Sequence, residues 1–484
     1  MSAAIAWLIW LPLAASVLLF VMGPHKQRLG LALAALNIVP PLLLFAEVRR
    51  HGVQHYLLGW PAPLGIELRA DALSASLVLL TAVVGAVVAV YAAAGLGERP
   101  AVHAMDPPSA FWPLSFLLAA GLHALYLSTD LFNLYVALEL VTLAAIALVA
   151  LPGTRATIAA ALQYLLATLV GSLAFLFGVA LLYASHGQLE LFALGSLLAS
   201  GPLAWSAFGL MTAGIMVKGA FFPLHFWLPD AHGHALAPVS ALLSGLVVKA
   251  GFYLLVRVWF DVFGSVLQPA LGTAIGVLAL LGIVWASLHA LGAARLKRLL
   301  AYSTVAQLGL MLLLFPLVMA AGPPTSGAAA SALPGWGGGV ALALSHGLAK
   351  ASLFLAAGAF IRAAGNDALV DLAGTARQLP LTAIAFALGA WTLLGLPPSG
   401  GYLAKTLYEE AAARGTSAWG WVVQGATVLS ALYLAVALRA LLERPCVGRR
   451  FRGVSFWMQL APLVLAGLGA SLGLLPLVAA GSAP

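Results

Sequence analysis

Four lysines (Lys218, Lys249, Lys350 and Lys405) and one glutamate (Glu139) stand inside apolar stretches long enough to cross a bilayer. A charge at mid-bilayer costs about 2.5–3.5 kcal/mol on insertion scales, so ionisable groups kept there are functional by default. The chemistry open to them is proton transfer. An amine with an ordinary pKa of about 10.4 is shifted down by up to about 3–5 units when fully buried, which brings proton uptake and release towards neutral pH. A carboxylate beside such an amine favours the ammonium form, and moving or neutralising that carboxylate releases the proton. An acid–lysine pair is thus a switch, and a lysine series is a relay. Lys218 is the natural partner for Glu139. Lys405 sits closer to the end of its stretch, with Glu409 and Glu410 nearby, where snorkelling or local pairing competes. The chain holds only six lysines, so most of them are at membrane depth, and Glu139 reads as the one deeply placed acid of fifteen.

Histidines extend the series. His346 and Lys350 are four residues apart, which on a helix puts them on one face. Imidazole accepts on one nitrogen and donates from the other, a property suited to a relay between lysines. Ser345 adjoins this pair as a polar lining residue. His123 and His289, alone on apolar spans, read as polar contacts between helices. His225, His232 and His234 fall close together, but no cysteine or His-Glu-x-x-His pattern supports zinc. A water-lined role for His225 outranks a metal, and no metal or cofactor is expected. The one cysteine, Cys446, excludes intrachain disulfides and four-thiolate clusters, and reads as a juxtamembrane residue. No nucleotide-binding or nucleophile-elbow pattern stands in a credible context.

The elements that position these groups are membrane helices. Hydrophobic residues make up 63% of the 484, and charged residues only 8%, against about 25% charged in soluble domains. A soluble enzyme, a nucleic-acid binder and a disordered scaffold are excluded, and the absence of two-residue alternation excludes a β-barrel. Fourteen apolar runs are found at 2–22, 28–47, 71–95, 110–129, 130–151, 157–185, 204–228, 237–260, 266–291, 298–322, 338–364, 379–413, 418–443 and 455–482. The expected fold is an all-α polytopic membrane protein of about fourteen spans. Helix breakers lie close to the lysines: Pro223 after Lys218, Pro238 before Lys249, and Pro397 with Pro398 before Lys405. The run 379–413 is too long for one straight span at about 1.5 Å per residue, so spans 7 and 12 are expected to be broken. Irregular backbone at membrane depth is tolerated only where it is buried in protein or lines a water-filled cavity. One interrupted, lysine-bearing segment in each half suggests an inverted repeat. The division that follows is 1–109, 110–260 (spans 4–8), 261–443 (spans 9–13) and 444–484.

Loops after odd-numbered spans hold fourteen Lys and Arg, among them Arg99, Arg295, Lys297 and Arg449; loops after even-numbered spans hold five, including Arg257. By the positive-inside rule the odd loops face the cytoplasm and both termini face outward. The segments 48–70, with Trp60-Pro61-Ala62-Pro63, and 323–337 read as extramembrane loops.

Five motifs carry a resemblance: Asn133-Leu-Tyr-Val-Ala-Leu-Glu139; Lys218-Gly-Ala-Phe-Phe-Pro-Leu-His225-Phe-Trp-Leu-Pro-Asp230; Ala237-Pro-Val-Ser-Ala through Lys249; Ser345-His-Gly-Leu-Ala-Lys350; and Gly395-Leu-Pro-Pro-Ser-Gly-Gly-Tyr-Leu-Ala-Lys405. Arg295 to Gln307 adds a sixth. In this order they resemble the antiporter-like subunits shared by respiratory complex I, membrane-bound hydrogenases and Mrp-type cation/proton antiporters. The wording around Lys218 and the Lys at 405 look most like the D-type subunit of Mrp antiporters, and the Asn133–Leu140 stretch looks closer to the smaller complex I subunits. The resemblance implies fourteen helices with inverted repeats in spans 4–8 and 9–13. It implies Glu139 and Lys218 as the ion pair of the inner half-channel, Lys249 as the central relay reached onward through His346 and Lys350, and Lys405 as the outer terminal lysine. It implies proton transport coupled to Na⁺ or another cation, alongside other membrane subunits, in the cytoplasmic membrane of a prokaryote. A proton-pumping arm of a redox complex, or an ion-coupling partner of another membrane-associated protein, is the alternative. The lipid bilayer is the surrounding partner, and no nucleic acid is expected.

Overall fold

The computed structural model describes residues 3–22, 26–57, 65, 67–96, 107–321, 327–415, 417–445 and 450–474. Cys446, Arg99, Arg449, the Trp60–Pro63 stretch, residues 323–326 and the end of the last span lie outside these residues. Among the described residues, eleven helices are long and apolar enough to cross a membrane. The shorter apolar helices Ile5–Val21 and Pro380–Leu394, together with Pro202–Lys218, occupy the remaining expected runs. Each expected span therefore corresponds to a helical segment, and the all-α polytopic fold stands.

The helices sort by burial into an inner set and an outer set. Spans 8 (Ala237–Val262) and 10 (Leu296–Met319) are buried along their whole apolar windows, and span 11 (Pro334–Ala364) nearly so. These three carry Lys249, Lys297 and Lys350. Spans 6 (Arg155–His186) and 13 (Ala418–Leu442) turn exposed leucine, valine and aromatic faces outward, as helices against lipid or other subunits must. Span 11 packs against spans 3, 8, 10, 12 and 14, so Lys350 lies near the middle of the molecule.

Two expected spans are broken. Span 7 is helical over Pro202–Lys218 and resumes only at Leu228–His234. Span 12 is helical over Pro380–Leu394 and Gly400–Arg414. The prolines Pro223, Pro397 and Pro398 lie in these interruptions, which contain the cis bonds Phe222–Pro223 and Pro397–Pro398. Pro238 behaves differently from expectation. It is the second residue of the helix Ala237–Leu242, a first-turn position where the missing N–H is not needed. The irregularities of span 8 are instead two π-turns, one over Leu243–Val247, ending two residues before Lys249, and one over Val258–Val262.

Other expectations are corrected. The loop 48–70 contains an antiparallel pair of strands, Gln54–Leu57 and Glu67–Ala70, with His55 opposite Arg69. The Gly/Pro-rich segment before span 11 is partly helical: Gly327–Ser331 is a short helix, and Pro334 begins span 11 at its N-terminal position. Arg257 and Lys297, counted among loop cations, are both buried. Asp261 is buried as well, so Glu139 is not the sole acid inside a span. Span 8 runs past the expected end because its apolar packing continues through Trp259 and Phe260.

Candidate functional site

Lys218 is the last helical residue of its segment, and the chain leaves the helix at once. Ala220 takes a left-handed backbone conformation (φ 54°), strained for a residue with a Cβ. The break is held by Trp227, whose indole N–H donates to the Val217 carbonyl at 2.9 Å and whose ring stacks on Tyr164 at 3.9 Å. Thus anchored, the Lys218 ammonium reaches span 5 (Leu131–Ala150). It donates to Glu139 Oε1 at 2.6 Å and to Thr142 Oγ1 at 3.0 Å. Glu139 and Thr142 are three residues apart and share a helix face. Ser172 of span 6 donates to the same Glu139 oxygen. The Lys218 side chain is 2% exposed and that of Glu139 24%. This is a charge-assisted ion pair with a hydroxyl on either partner.

Lys249 occupies the centre. Its Nζ donates to the Ser244 carbonyl, five residues back in the π-turn, and lies 2.6 Å from His346 Nδ1. When Lys249 is an ammonium, which can only donate, Nδ1 accepts and the imidazole proton is on Nε2. The His346 Nε2 atom is buried and makes no hydrogen bond among the described residues. Backbone packing joins this centre to the first pair. A Cβ on Gly251 would lie 2.4 Å from Gly219 Cα, so only glycine lets span 8 touch the break that follows Lys218.

His346 and Lys350 share a helix face as their spacing predicts, but their side chains diverge. Lys350 Nζ turns to span 10, donating to the Leu300 carbonyl at 2.9 Å and to Ser303 Oγ. His346 thus joins Lys249, not Lys350. Ser345 donates to the Leu342 carbonyl and touches neither. His225 is buried between Phe222 and Trp285, apart from the lysines. His123 and His289 bond the carbonyls of Leu8 and Trp285.

Lys405 follows the second break. Its Nζ donates to the Leu394 carbonyl at 2.7 Å, to the Leu393 carbonyl at 3.4 Å and to Thr427 Oγ1 at 2.7 Å. Leu393 and Leu394 end the first half of span 12, where helix carbonyls have no partner of their own. The interruption therefore supplies the acceptors. Gly395 makes the approach possible: it has φ 71°, and a Cβ there would lie 2.7 Å from Lys405 Cδ. Ser399 caps the second half through the Tyr402 N–H at 3.2 Å. The alternative of snorkelling or pairing with Glu409 or Glu410 is not what is seen. Lys405 is 7% exposed, and Glu410 pairs with Arg414 at 2.5 Å.

Sequence reasoning missed two buried groups. Arg257 binds Asp71 at 2.5 Å and Asp261 at 3.2 Å, with its guanidinium against the Tyr253 ring. The four-residue spacing of Arg257 and Asp261 was a usable signal; nothing in the sequence links Asp71 to either. Lys297 donates to the carbonyls of Gly233 and Ala235, closing the short helix Leu228–His234.

A profile of the family described as "NADH:quinone oxidoreductase/Mrp antiporter, TM" matches residues 128–430. The NADH-quinone oxidoreductase subunit N of Desulforudis audaxviator is 33% identical over 95% of this chain and 92% of its own length. The D-type subunit of the Na⁺/H⁺ antiporter of Alkalihalophilus pseudofirmus is 32% identical over 80% of this chain and 76% of its own. In the structure of the Mrp complex from Dietzia sp., a chain 23% identical superposes with a TM-score of 0.87, covering 99% of this chain and 96% of that one.

Proposed function

The chain belongs to the NADH:quinone oxidoreductase/Mrp antiporter transmembrane family, and on that premise we propose that it is the proton-translocating subunit of a multisubunit cation/proton antiporter. The observation that carries this is the series of buried amines across the core: Lys218 on Glu139, Lys249 on His346, Lys350 on Ser303 and Lys405 on the carbonyls of a broken helix. Each amine faces a partner that accepts its N–H, and the two broken spans put irregular, polar backbone at membrane depth, where it is tolerated beside a water-filled path. Protons enter at the Glu139–Lys218 pair, pass to Lys249 and His346, and leave past Lys350 to Lys405. Moving one charge against 100 mV takes about 2.3 kcal/mol, so the two half-paths must not open together. The Glu139–Lys218 pair serves as the gate: while intact it balances the charge on Lys218, and when parted it lets that proton go. The repeat units are spans 4–8 and 9–13, and the protein sits in a prokaryotic cytoplasmic membrane with both termini outside.

A second reading is favoured by the longer match to a subunit N of an NADH-quinone oxidoreductase: the same axis as the pump arm of a redox complex. Gentle solubilisation, capture of this chain and mass spectrometry of its companions separate the two. Companions that are all membrane proteins, with Na⁺-driven pH gradients in vesicles, support the antiporter. Companions with flavin or iron–sulfur centres assign the chain to a redox pump.

A further inference from the structure

Span 2 (Gln27–His51) is jointed at mid-membrane: its two helical parts, Gln27–Leu36 and Val39–His51, meet at Asn37 and Ile38. Pro40 and Pro41 stand in the first turn of the second part. They have no N–H, so the carbonyls of Leu36 and Asn37, four residues back, lose their regular helical donors. Asn37 lines a cavity of about 30 Å³ together with Thr81 and Gly85 of span 3 (Ala72–Leu96), Ser115 of span 4 (Ser109–Leu127) and Leu242 and Leu246 of span 8. Apolar side chains make up the rest, and no ionisable residue lines it. Thr81 and Ser115 donate to carbonyls of their own helices, Leu77 at 2.9 Å and Trp112 at 2.8 Å. Asn37 is 6% exposed, and its side chain finds no hydrogen-bond partner among the described residues. Leu36 and Val39 beside it are exposed, which puts the notch on the rim of the bundle. A polar group left unpaired away from water costs about 1–3 kcal/mol, so a free amide and two underused carbonyls between apolar walls suit a hydrogen-bonding guest.

We propose that this notch binds a neutral single-chain amphiphile with a hydroxyl head, taken up from the bilayer. A hydroxyl both donates and accepts, so it can donate to a span 2 carbonyl and accept from the Asn37 amide. A head with a carbonyl alone cannot do both, and a charged head meets no counter-charge in this lining at membrane depth. A water needs roughly 10–15 Å³ of such space, so the cavity admits a terminal CH₂–OH and not a ring, and the chain stays in the bilayer. Leu242 and Leu246 form the inner wall, at the π-turn Leu243–Val247 whose Ser244 carbonyl receives Lys249 Nζ. On its other side the same turn meets span 11: a Cβ on Gly245 would lie 3.2 Å from the Gly347 carbonyl. With span 11 behind it, the turn cannot yield to a guest without shifting the carbonyl that holds Lys249. Occupancy therefore modulates the central lysine, a consequence that rests on the transport reading above, whereas the binding does not.

The test uses the intact complex in liposomes and a long-chain primary alcohol with a diazirine in its tail, with the alkane of equal length as a second probe. After illumination, mass spectrometry counts the labelled peptides of spans 2, 3, 4 and 8. The alcohol should label them saturably, and the alkane only in proportion to its concentration in the bilayer. Asn37→Leu should weaken alcohol labelling about tenfold, equivalent to about 1.4 kcal/mol, with the melting temperature unchanged or raised because the amide has no partner to lose. Gly85→Leu should abolish saturable labelling: a Cβ there meets nothing within 4 Å, so the side chain enters the cavity from an unstrained start. Gly209→Leu, on the Pro202–Lys218 helix outside the cavity lining and equally open at its Cβ, is the control and should label like wild type. Alcohol labelling that never saturates is partition at the probe's concentration only and overturns the site. So does wild-type labelling in Gly85→Leu, or a lower melting temperature in Asn37→Leu. In Na⁺-driven proton flux, saturating alcohol should change the wild-type rate by about twofold or more and leave Gly85→Leu unmoved. Saturable labelling without that change overturns the coupling to Lys249 alone. A wild-type complex with no flux fails the transport reading, and the labelling still decides the site.

Discussion

Lys218 and Lys405 each sit beside a proline-containing break, one in each half of the chain, and each is buried. Their surroundings differ. Lys218 is met by a carboxylate at 2.6 Å, whereas Lys405 is met by helix-end carbonyls and the Thr427 hydroxyl. The first lysine therefore has a counter-charge on another helix that movement can withdraw. The second is solvated by dipoles built into its own span, and no ion pair must part before it changes state. A broken helix serves both ends, but in the first half it aims the lysine across to span 5, and in the second it turns carbonyls onto the lysine. One end is built to be gated and the other to stay receptive.

Removing the counter-charge should separate the two ends most clearly. Glu139→Ala leaves the Lys218 ammonium buried and uncompensated. Breaking a buried pair from one side costs about 3–5 kcal/mol, and the 24% exposure of the Glu139 side chain puts this case at the low end. The purified complex should melt at a clearly lower temperature and lose proton flux. Lys405→Met, by contrast, replaces a buried charge with an apolar chain of similar length. Flux should fall about tenfold or more while thermal stability holds or rises. Equal destabilisation by both variants would erase the distinction between a paired and a dipole-held lysine.

Gly395→Ala probes the second break. An alanine at φ 71° costs about 1–2 kcal/mol, and its Cβ would press on Lys405 Cδ. Flux should fall more than the melting temperature suggests, because the lysine loses its place on the Leu394 carbonyl. Ser172→Ala is the mildest test. It removes one hydroxyl from Glu139, worth about 1 kcal/mol, and should reduce flux by less than about threefold.

The lysines were legible in the sequence because a cation inside an apolar run is costly and therefore conspicuous, and the breaks because proline and glycine punctuate them. The pairing of Lys218 with Glu139 was legible as chemistry but not as contact, since 79 residues separate them. The Arg257–Asp71–Asp261 cluster escaped because Arg257 stands at the end of an apolar run and reads as a loop cation, while Asp71 joins it from 186 positions away. The contact of Gln307 with Ser430 escaped as well, because polar side chains are common on membrane helices, where they bond neighbouring helices, and 123 residues separate the two. His346 and Lys350 share the face their spacing gives them, but which lysine meets the imidazole is set by the packing of spans 8 and 11, which no periodicity announces.

If the buried lysine series carries the protons, Lys218→Ala in the reconstituted complex must stop them. With assembly verified, Na⁺-driven proton flux should drop to the level of empty liposomes. Flux equal to that of the wild-type complex would contradict a lysine relay.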